Sequence, residues 1–273
     1  MPIYNTLYRG AEKVKYLFID AGCVNSMLDS LSKELLGGAA IEVDYRQLAG
    51  DYQKVFYYDC LPARKPDESE AGYQERIKPK TQLFNRLKSL DKFHVYEGTA
   101  RYRKNLKEGQ EQKQVDIMIA VDMLRHCVRR NMHEATLLTG DLDFKPLIDA
   151  LVQEGMYVSL WYPKGRANHE LLDAADSRWA FGVSNIEGWF TGSSREKFTA
   201  ALPGITSEKS MPFSPGEFRE NIGTAPDEGF LYEREGIYFA CFQQADEYLL
   251  YQHNDLKQLK FYVEHARRPD VRR

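Results

Sequence analysis

The chain has 273 residues with 37 basic and 40 acidic side chains, which gives a formal net charge of −3 at neutral pH. This length is enough to bury a sizeable core and to form one large domain together with a smaller one. No apolar run approaches the roughly 20 residues needed to span a membrane, and the N-terminus lacks the basic and apolar regions of a signal peptide. We therefore expect a cytoplasmic protein without a membrane partner.

The first acidic position of interest ends an apolar run near the start of the chain. Residues 16–19 predict a buried strand that ends at Asp20, and residues 24–36 predict the amphipathic helix that follows. Ligands bind at the carboxyl ends of strands in open α/β sheets, so Asp20 is a candidate site residue. A haloacid-dehalogenase-type phosphatase also begins with a strand-end Asp, but it would need a second Asp where Gly22 stands.

Further strands alternate with helical stretches. Residues 54–60 and 93–98 predict two strands, and the polar stretch at 67–90 between them predicts a helix. This alternation indicates βαβ units and a mainly parallel sheet. Asp59 also stands near a strand end, where a turn before Pro62 explains it better than a place in the site.

A second group of acids follows in the middle of the chain. Asp116 is expected to be the N-cap of a helix over 117–124. Asp141 and Asp143 follow a strand predicted over 135–140, and a second strand is predicted over 157–162. Capping of the next helix explains one of these two aspartates but not both.

We expect these acids to converge with Asp20. Carboxylates brought together repel one another unless a cation neutralises them, and hard oxygen ligands suit Mg²⁺ or Mn²⁺ better than zinc. The histidines show no metal-ligand spacing, and the scattered cysteines show no Cys-x-x-Cys pair, so the cysteines are predicted to be reduced thiols.

Several segments together resemble a known family. YLFIDAG, KQVDIMIAVDML and LLTGDLDFKPLIDAL, followed by GMYVSLWY and ELLDAADSRW, resemble the NYN domain, a branch of the PIN-like nuclease superfamily, over about residues 13–190. The resemblance implies a PIN-like three-layer α/β sandwich with a mainly parallel sheet and an Mg²⁺- or Mn²⁺-dependent ribonuclease site acting on single-stranded or structured RNA. It maps the catalytic, metal-binding carboxylates to Asp20, Asp116, Asp141 and Asp143.

Other residues are expected to support this site. Asp122 lies about 240° further round an ideal helix than Asp116. We therefore expect Asp122 to support the metal-binding residues and not to bind the ion itself. Thr139 is expected either to position substrate or water, or to be satisfied by the backbone. Many family members have Asn three residues after the first Asp; here Cys23 stands there, and Asn25 is the nearby candidate for a substrate contact.

A basic segment precedes Asp116. Residues 101–113 carry five basic and two acidic side chains. We expect Arg101, Arg103, Lys104 and Lys113 to contact RNA phosphates because this segment leads directly to the site. Many of the chain's other basic residues are explained equally by a position on a solvent-exposed helix face, without any contact with RNA.

The pattern changes after about residue 190. Ser193 and Glu196 have capping-box spacing for a short helix, and residues 230–234 and 237–242 predict a hairpin. We therefore predict a nuclease domain at 1–190 and a small C-terminal α+β module of unknown role at 191–273. The basic residues near the terminus could extend a nucleic-acid track; they are His265, Arg267, Arg268, Arg272 and Arg273.

Two alternatives to a ribonuclease remain open. One is a catalytically inactive NYN-type RNA-binding or scaffolding module, for which Cys23 is the suggestive feature. The other is that the carboxylates are only structural caps, in which case their removal would weaken folding without changing metal affinity. A homodimer is also left open.

Overall fold

The computed structural model describes residues 13–99, 101–102, 110–111, 114–209, 216–224 and 227–267. The chain divides into two compact units. The first comprises Met1–Val24, Ala49–Tyr162 and Ala167–Trp179, and the second comprises Asn25–Leu48, Pro163–Arg166 and Ala180–Arg273. The boundary between residues 190 and 191 stays a prediction.

Strands in the first two thirds of the chain form a mainly parallel sheet. Within the described residues they are β1 (Lys15–Asp20), β2 (Lys54–Leu61), β3 (Phe93–Thr99), β4 (Arg101–Tyr102), β5 (Gln110–Glu111), β6 (Glu134–Leu138), β7 (Tyr157–Pro163) and β8 (Ser177–Phe181). The order of the sheet is β3-β2-β1-β6-β7-β8, while β4 and β5 pair with each other. The pairs β1 with β2, β1 with β6, β2 with β3 and β6 with β7 are parallel.

Helices connect these strands, as the α/β prediction requires. In the described part of the chain they are α1 (Ala21–Leu35), α2 (Tyr45–Ala49), α3 (Glu70–Lys88), α4 (Gln114–Val128), α5 (Lys145–Gln153), α6 (His169–Ala174), α7 (Gly192–Ala200) and α8 (Leu256–Arg267). Parallel strands covered by helices read as continuous apolar runs, and Leu17, Phe18 and Ile19 of β1 are fully buried. The predicted fold class is confirmed.

The C-terminal region contains a separate antiparallel sheet. Its strands among the described residues are β9 (Gly204–Glu208), β10 (Glu217–Thr224), β11 (Asp227–Arg234), β12 (Ile237–Gln244) and β13 (Glu247–His253), in the order β10-β11-β12-β13-β9. Helix α8 packs on β12 and β13. Glu235 and Gly236, between β11 and β12, have φ values of 54° and 77°, which suit a two-residue hairpin turn. The predicted hairpin and α+β composition are confirmed.

Helix starts differ from the sequence prediction in two places near the acids. Helix α1 begins at Ala21 instead of residue 24, because Oδ1 of Asp20 accepts a hydrogen bond from the Gly22 N–H at 2.9 Å and caps the helix directly after the strand. Helix α4 begins at Gln114, so the prediction that Asp116 is an N-cap is wrong. Asp116 lies inside the first turn, where the helix dipole favours a carboxylate.

Two further elements also depart from expectation. The capping-box prediction for Ser193 is wrong because Thr191 occupies the N-cap position of α7. The sequence does not predict β8, because its middle residues Arg178 and Trp179 are exposed and the strand lacks a buried apolar run.

The cysteines and the membrane prediction can be compared directly with the structure. Cys60, Cys127 and Cys241 are buried, Cys23 is half-buried, and all four are free thiols, as predicted. No helix within the described ranges combines the length and the apolar character needed to cross a bilayer.

Candidate active site

The carboxyl ends of β1 and β6 bring the first candidate residues together. The two strands are parallel neighbours, with Ile19 opposite Leu138, so the residues that follow them meet at one edge of the sheet. The Thr139 hydroxyl donates a hydrogen bond to Oδ2 of Asp20 at 2.9 Å. A strand-end carboxylate is thereby fixed at the edge where open α/β sheets bind ligands.

Thr139 is fully buried and makes three hydrogen bonds. Besides donating to Asp20, its Oγ1 accepts from the Asp141 N–H at 3.3 Å. Its own N–H donates to the Trp161 carbonyl oxygen of β7 at 3.0 Å. Thr139 therefore links Asp20 to the segment that carries Asp141, beyond the backbone contact that a purely structural role would require.

The carboxyl group of Asp20 is held from both sides and is hard to ionise. Its pKa is raised to about 6: burial and the charge of Asp116 raise it, while hydrogen bonds from Thr139 and from the Cys23 and Gly22 N–H groups lower it. The largest effect is burial, which disfavours the ionised carboxylate. A nearby cation would therefore stabilise the ionised form of Asp20.

Asp116 connects the acids electrostatically. Its pKa is raised first by burial and then by the charges of Asp141 and Asp143. Because Asp116 also raises the pKa of Asp20, every one of these four carboxyl groups interacts with at least one other. We call Asp20, Asp116, Asp141 and Asp143 the aspartate cluster.

Capping explains part of the role of Asp141. Its Oδ1 accepts a hydrogen bond from the Asp143 N–H at 3.0 Å and caps a 3₁₀ helix at Leu142–Phe144. Asp143 lies in the first turn of this short helix, and both side chains are exposed. The capping explanation therefore holds for Asp141, as expected for one member of the pair, and leaves Asp143 unexplained.

The donor chemistry of the cluster suits a hard divalent cation. Carboxylate oxygens are the preferred protein ligands of Mg²⁺ and Mn²⁺. The causes of the raised pKa of Asp20 and of Asp116 include carboxylates but no cation. Within the described residues, no three His, Cys, Asp or Glu side chains stand close enough together to hold one ion.

Asp122 and Asp59 have other partners. The Tyr58 hydroxyl donates to Oδ2 of Asp122 at 3.0 Å, and Arg125 Nη1 donates to its Oδ1 at 3.4 Å. These contacts connect buried Asp122 to β2. That Asp122 supports the metal-binding residues stays a prediction. Asp59 is not a turn residue: it lies within β2 and pairs with Lys80 Nζ at 2.7 Å. Local sequence pattern does not identify Lys80 as the partner of Asp59, because Lys80 lies on a separate helix, α3.

The expected substrate contacts are described only in part. Arg101 belongs to β4, whereas Arg103, Lys104 and Lys113 lie outside the described residues. Asn25 is half-buried on α1. All five remain predictions.

Comparison with known proteins identifies the family. The NYN domain model matches residues 39–180, which is more than half of the chain and includes Asp116, Asp141 and Asp143. Among solved structures, the chain is similar to a protein of unknown function from Vibrio parahaemolyticus, with 14% identity, a TM-score of 0.44, and coverage of 66% of this chain and 97% of that one. No curated protein matches. The chain belongs to the NYN domain family and has its PIN-like nuclease-type fold.

Proposed function

We propose that this chain is an Mg²⁺- or Mn²⁺-dependent ribonuclease whose active site is the aspartate cluster. The observation that carries the proposal is that Asp20 and the segment from Thr139 to Asp141 meet at the carboxyl ends of β1 and β6. There the charge of Asp116 acts on Asp20, and the charges of Asp141 and Asp143 act on Asp116. Mutual repulsion of this kind is relieved when a divalent cation binds. RNA is preferred to DNA on the family resemblance alone.

The residues of the cluster have distinct tasks in this proposal. Asp20, Asp116, Asp141 and Asp143 would hold the ion after moving closer together than they stand in the described structure. When bound, the ion would polarise a phosphoryl oxygen and lower the pKa of the attacking water. Thr139 orients Asp20 through Oδ2 while the Gly22 N–H engages Oδ1, so rotation of the carboxylate is restricted.

Substrate would approach along the basic segment before α4. Arg101, Arg103, Lys104 and Lys113 carry positive charge and precede in the sequence the helix whose first turn carries Asp116. Contacts between these side chains and phosphates would hold the RNA backbone near the carboxylates.

A cleavage assay tests this function. Labelled single-stranded RNA and DNA of one sequence are incubated with the full chain, with Mn²⁺ or with EDTA. We expect RNA cleavage with Mn²⁺ and none with EDTA or with the Asp116→Asn variant. Asp149→Asn is the matched control, because this α5 carboxylate pairs with Lys145 Nζ at 2.7 Å and lies outside the cluster. RNA binding without cleavage in every condition would support the inactive RNA-binding module instead.

A further inference from the structure

Helix α4 carries four apolar side chains that recur along it at intervals of four, three and four residues. They are Ile117, Val121, Leu124 and Val128, and we call them the α4 stripe. At about 100° per residue, they fall within about 60° of the helix circumference. The exposed fraction is 64% for Ile117, 51% for Val121 and 70% for Val128, and Leu124 is half-buried.

The core of the protein does not account for this stripe. Helix α4 packs on β1, β2 and β3, and its buried apolar residues include Val115, Ile119 and Met123. Ile119 lies about 200° round the helix from Ile117, so the stripe is on the opposite, outward face. A surface helix normally presents polar side chains there. Three residues of the stripe are instead among the four most exposed large apolar side chains of the described residues, which indicates an interaction surface.

The spacing of the stripe fits a second copy of the same helix. Intervals of four, three and four residues read the same in both directions along the helix. In an antiparallel pair related by a two-fold axis, Ile117 of one copy lies level with Val128 of the other, and Val121 lies level with Leu124. Each apolar side chain then meets an apolar side chain, which is the self-complementarity that an isologous interface requires. Alternating intervals of three and four are typical of helices that pack side by side.

The charges at the two ends of α4 favour the antiparallel arrangement. The N-terminal end carries Asp116, on which the charges of Asp141 and Asp143 act. The exposed side chains of Arg129 and Arg130 follow the C-terminal end. Antiparallel pairing places the basic end of each helix beside the acidic end of the other, whereas a parallel pair would bring the two basic ends together.

We propose that this protein forms a homodimer in which the α4 stripes of two copies pack against each other, antiparallel, about a two-fold axis. A helix of 15 residues is about 22 Å long, and stable interfaces bury about 800 Å² per partner, which is more than one helix pair provides. We therefore expect a dimer that dissociates on dilution. Because Ile117 is next to Asp116, the interface would border the aspartate cluster, with the two Asp116 residues about 20 Å apart along the helix axes.

Sedimentation velocity of the full chain in EDTA, over a series of protein concentrations, measures the association. We expect a monomer–dimer equilibrium in the parent protein. Val121→Glu should raise the dissociation constant at least about tenfold, because both copies lose a central apolar contact and gain a charge in the interface. Tyr157→Glu is the matched control: Tyr157 is 47% exposed on β7, in the same compact unit but outside α4, so this variant should associate as the parent does.

Cysteine cross-linking tests the antiparallel arrangement. In the proposed dimer Val121 lies about 4.5 Å along the axis from the level of its counterpart, whereas Val128 lies about 16 Å from the level of its own. A disulfide requires Cα atoms within about 7 Å of each other. Val121→Cys should therefore give a cross-linked dimer on a non-reducing gel after mild oxidation, and Val128→Cys should not. The parent protein, with its four free cysteines, measures the background.

A parent chain that stays monomeric at every concentration overturns the proposal, as does a dimer that folded Val121→Glu leaves intact. Cross-linking of Val128→Cys to the same extent as Val121→Cys would also overturn it. If thermal melts show that Val121→Glu is unfolded, the two cysteine variants decide the question. A dimer without ribonuclease activity would leave this proposal standing and contradict only the proposed function, so the two failures can be distinguished.

Discussion

The Thr139 hydroxyl donates to Oδ2 of Asp20 across a separation of 119 residues in the sequence, with the two oxygen atoms 2.9 Å apart. The contact exists because β1 and β6 are parallel neighbours whose carboxyl ends meet. It stabilises the charged carboxylate and so lowers the pKa of Asp20, in opposition to burial. By its position at the end of β6, Thr139 thus favours the ionised form of a proposed metal ligand.

The variant Thr139→Val keeps the shape of the side chain and removes this hydrogen bond. We expect the pKa of Asp20 to rise above its value of about 6, because burial and the charge of Asp116 remain. Metal ions bind the deprotonated carboxylate, so the pH at which Mn²⁺ affinity is half-maximal should increase. Calorimetry between about pH 5 and pH 8 measures the change. Thr139→Ser should restore the parent profile, and an identical profile for Val and parent would contradict the assignment.

Asp20 also predicts how stability depends on pH in the presence of EDTA. Its pKa is about 6 in the folded protein against a reference of 3.8, so the folded state binds more protons between these values. The stability from this protonation is present below about pH 4 and is lost as the pH rises through about 6. A shift of about two units corresponds to about 3 kcal/mol.

The Asp20→Asn variant removes this titration. Its free energy of unfolding should depend less on pH across the same interval, as measured by chemical denaturation. Asn keeps an oxygen that can accept from the Gly22 N–H, so the start of α1 is preserved. A decrease as steep as that of the parent would show that other groups cause the pH dependence.

Sequence analysis succeeds where local pattern determines the structure. The buried strand β1 is a continuous apolar run, and the parallel arrangement then places Asp20 at the site edge. It fails where a contact depends on distant residues. Asp59 resembles a turn residue until Lys80 of α3 pairs with it, and β9 joins the C-terminal sheet by pairing with β13. Sequence pattern also did not predict where α1 begins, because the start depends on the rotamer with which Asp20 accepts the hydrogen bond from the Gly22 N–H.

Two substitutions of Asp141 separate its cap from its proposed metal role. Asp141→Asn retains an oxygen for the Asp143 N–H, so cleavage should be abolished while the melting temperature stays unchanged or rises through reduced repulsion. Asp141→Ala loses the cap as well and should be destabilised by about 1 kcal/mol relative to Asn. Cleavage at the parent rate by Asp141→Asn would remove Asp141 from the site.

The basic segment before α4 makes a prediction about salt dependence. Replacing Arg101, Arg103 and Lys104 by Ala should weaken RNA binding and reduce its dependence on salt, since each lost phosphate contact lowers the slope by about 0.7 for single strands. Anisotropy titrations at several salt concentrations measure this slope. An unchanged slope would assign the phosphates to a different surface.

The contacts of the second compact unit bear on the predicted boundary between residues 190 and 191. Ser194 Oγ accepts from the Glu42 N–H at 3.0 Å, and Gln258 Nε2 donates to the Leu35 carbonyl oxygen at 3.1 Å. Residues from both sides of the boundary therefore stabilise each other within this unit. A chain ending at Gly192 would lose these partners of residues 25–48.

We expect this truncated chain to expose apolar side chains of α1 that are buried in the full protein, such as Met27 and Leu31, and to aggregate. Limited proteolysis of the full chain provides the measurement. Cleavage between about residues 190 and 229 should leave two fragments that elute together in gel filtration, because the contacts across the boundary persist. If the N-terminal fragment instead elutes alone, remains soluble and binds Mn²⁺, residues 1–190 form an independent domain and this expectation is wrong.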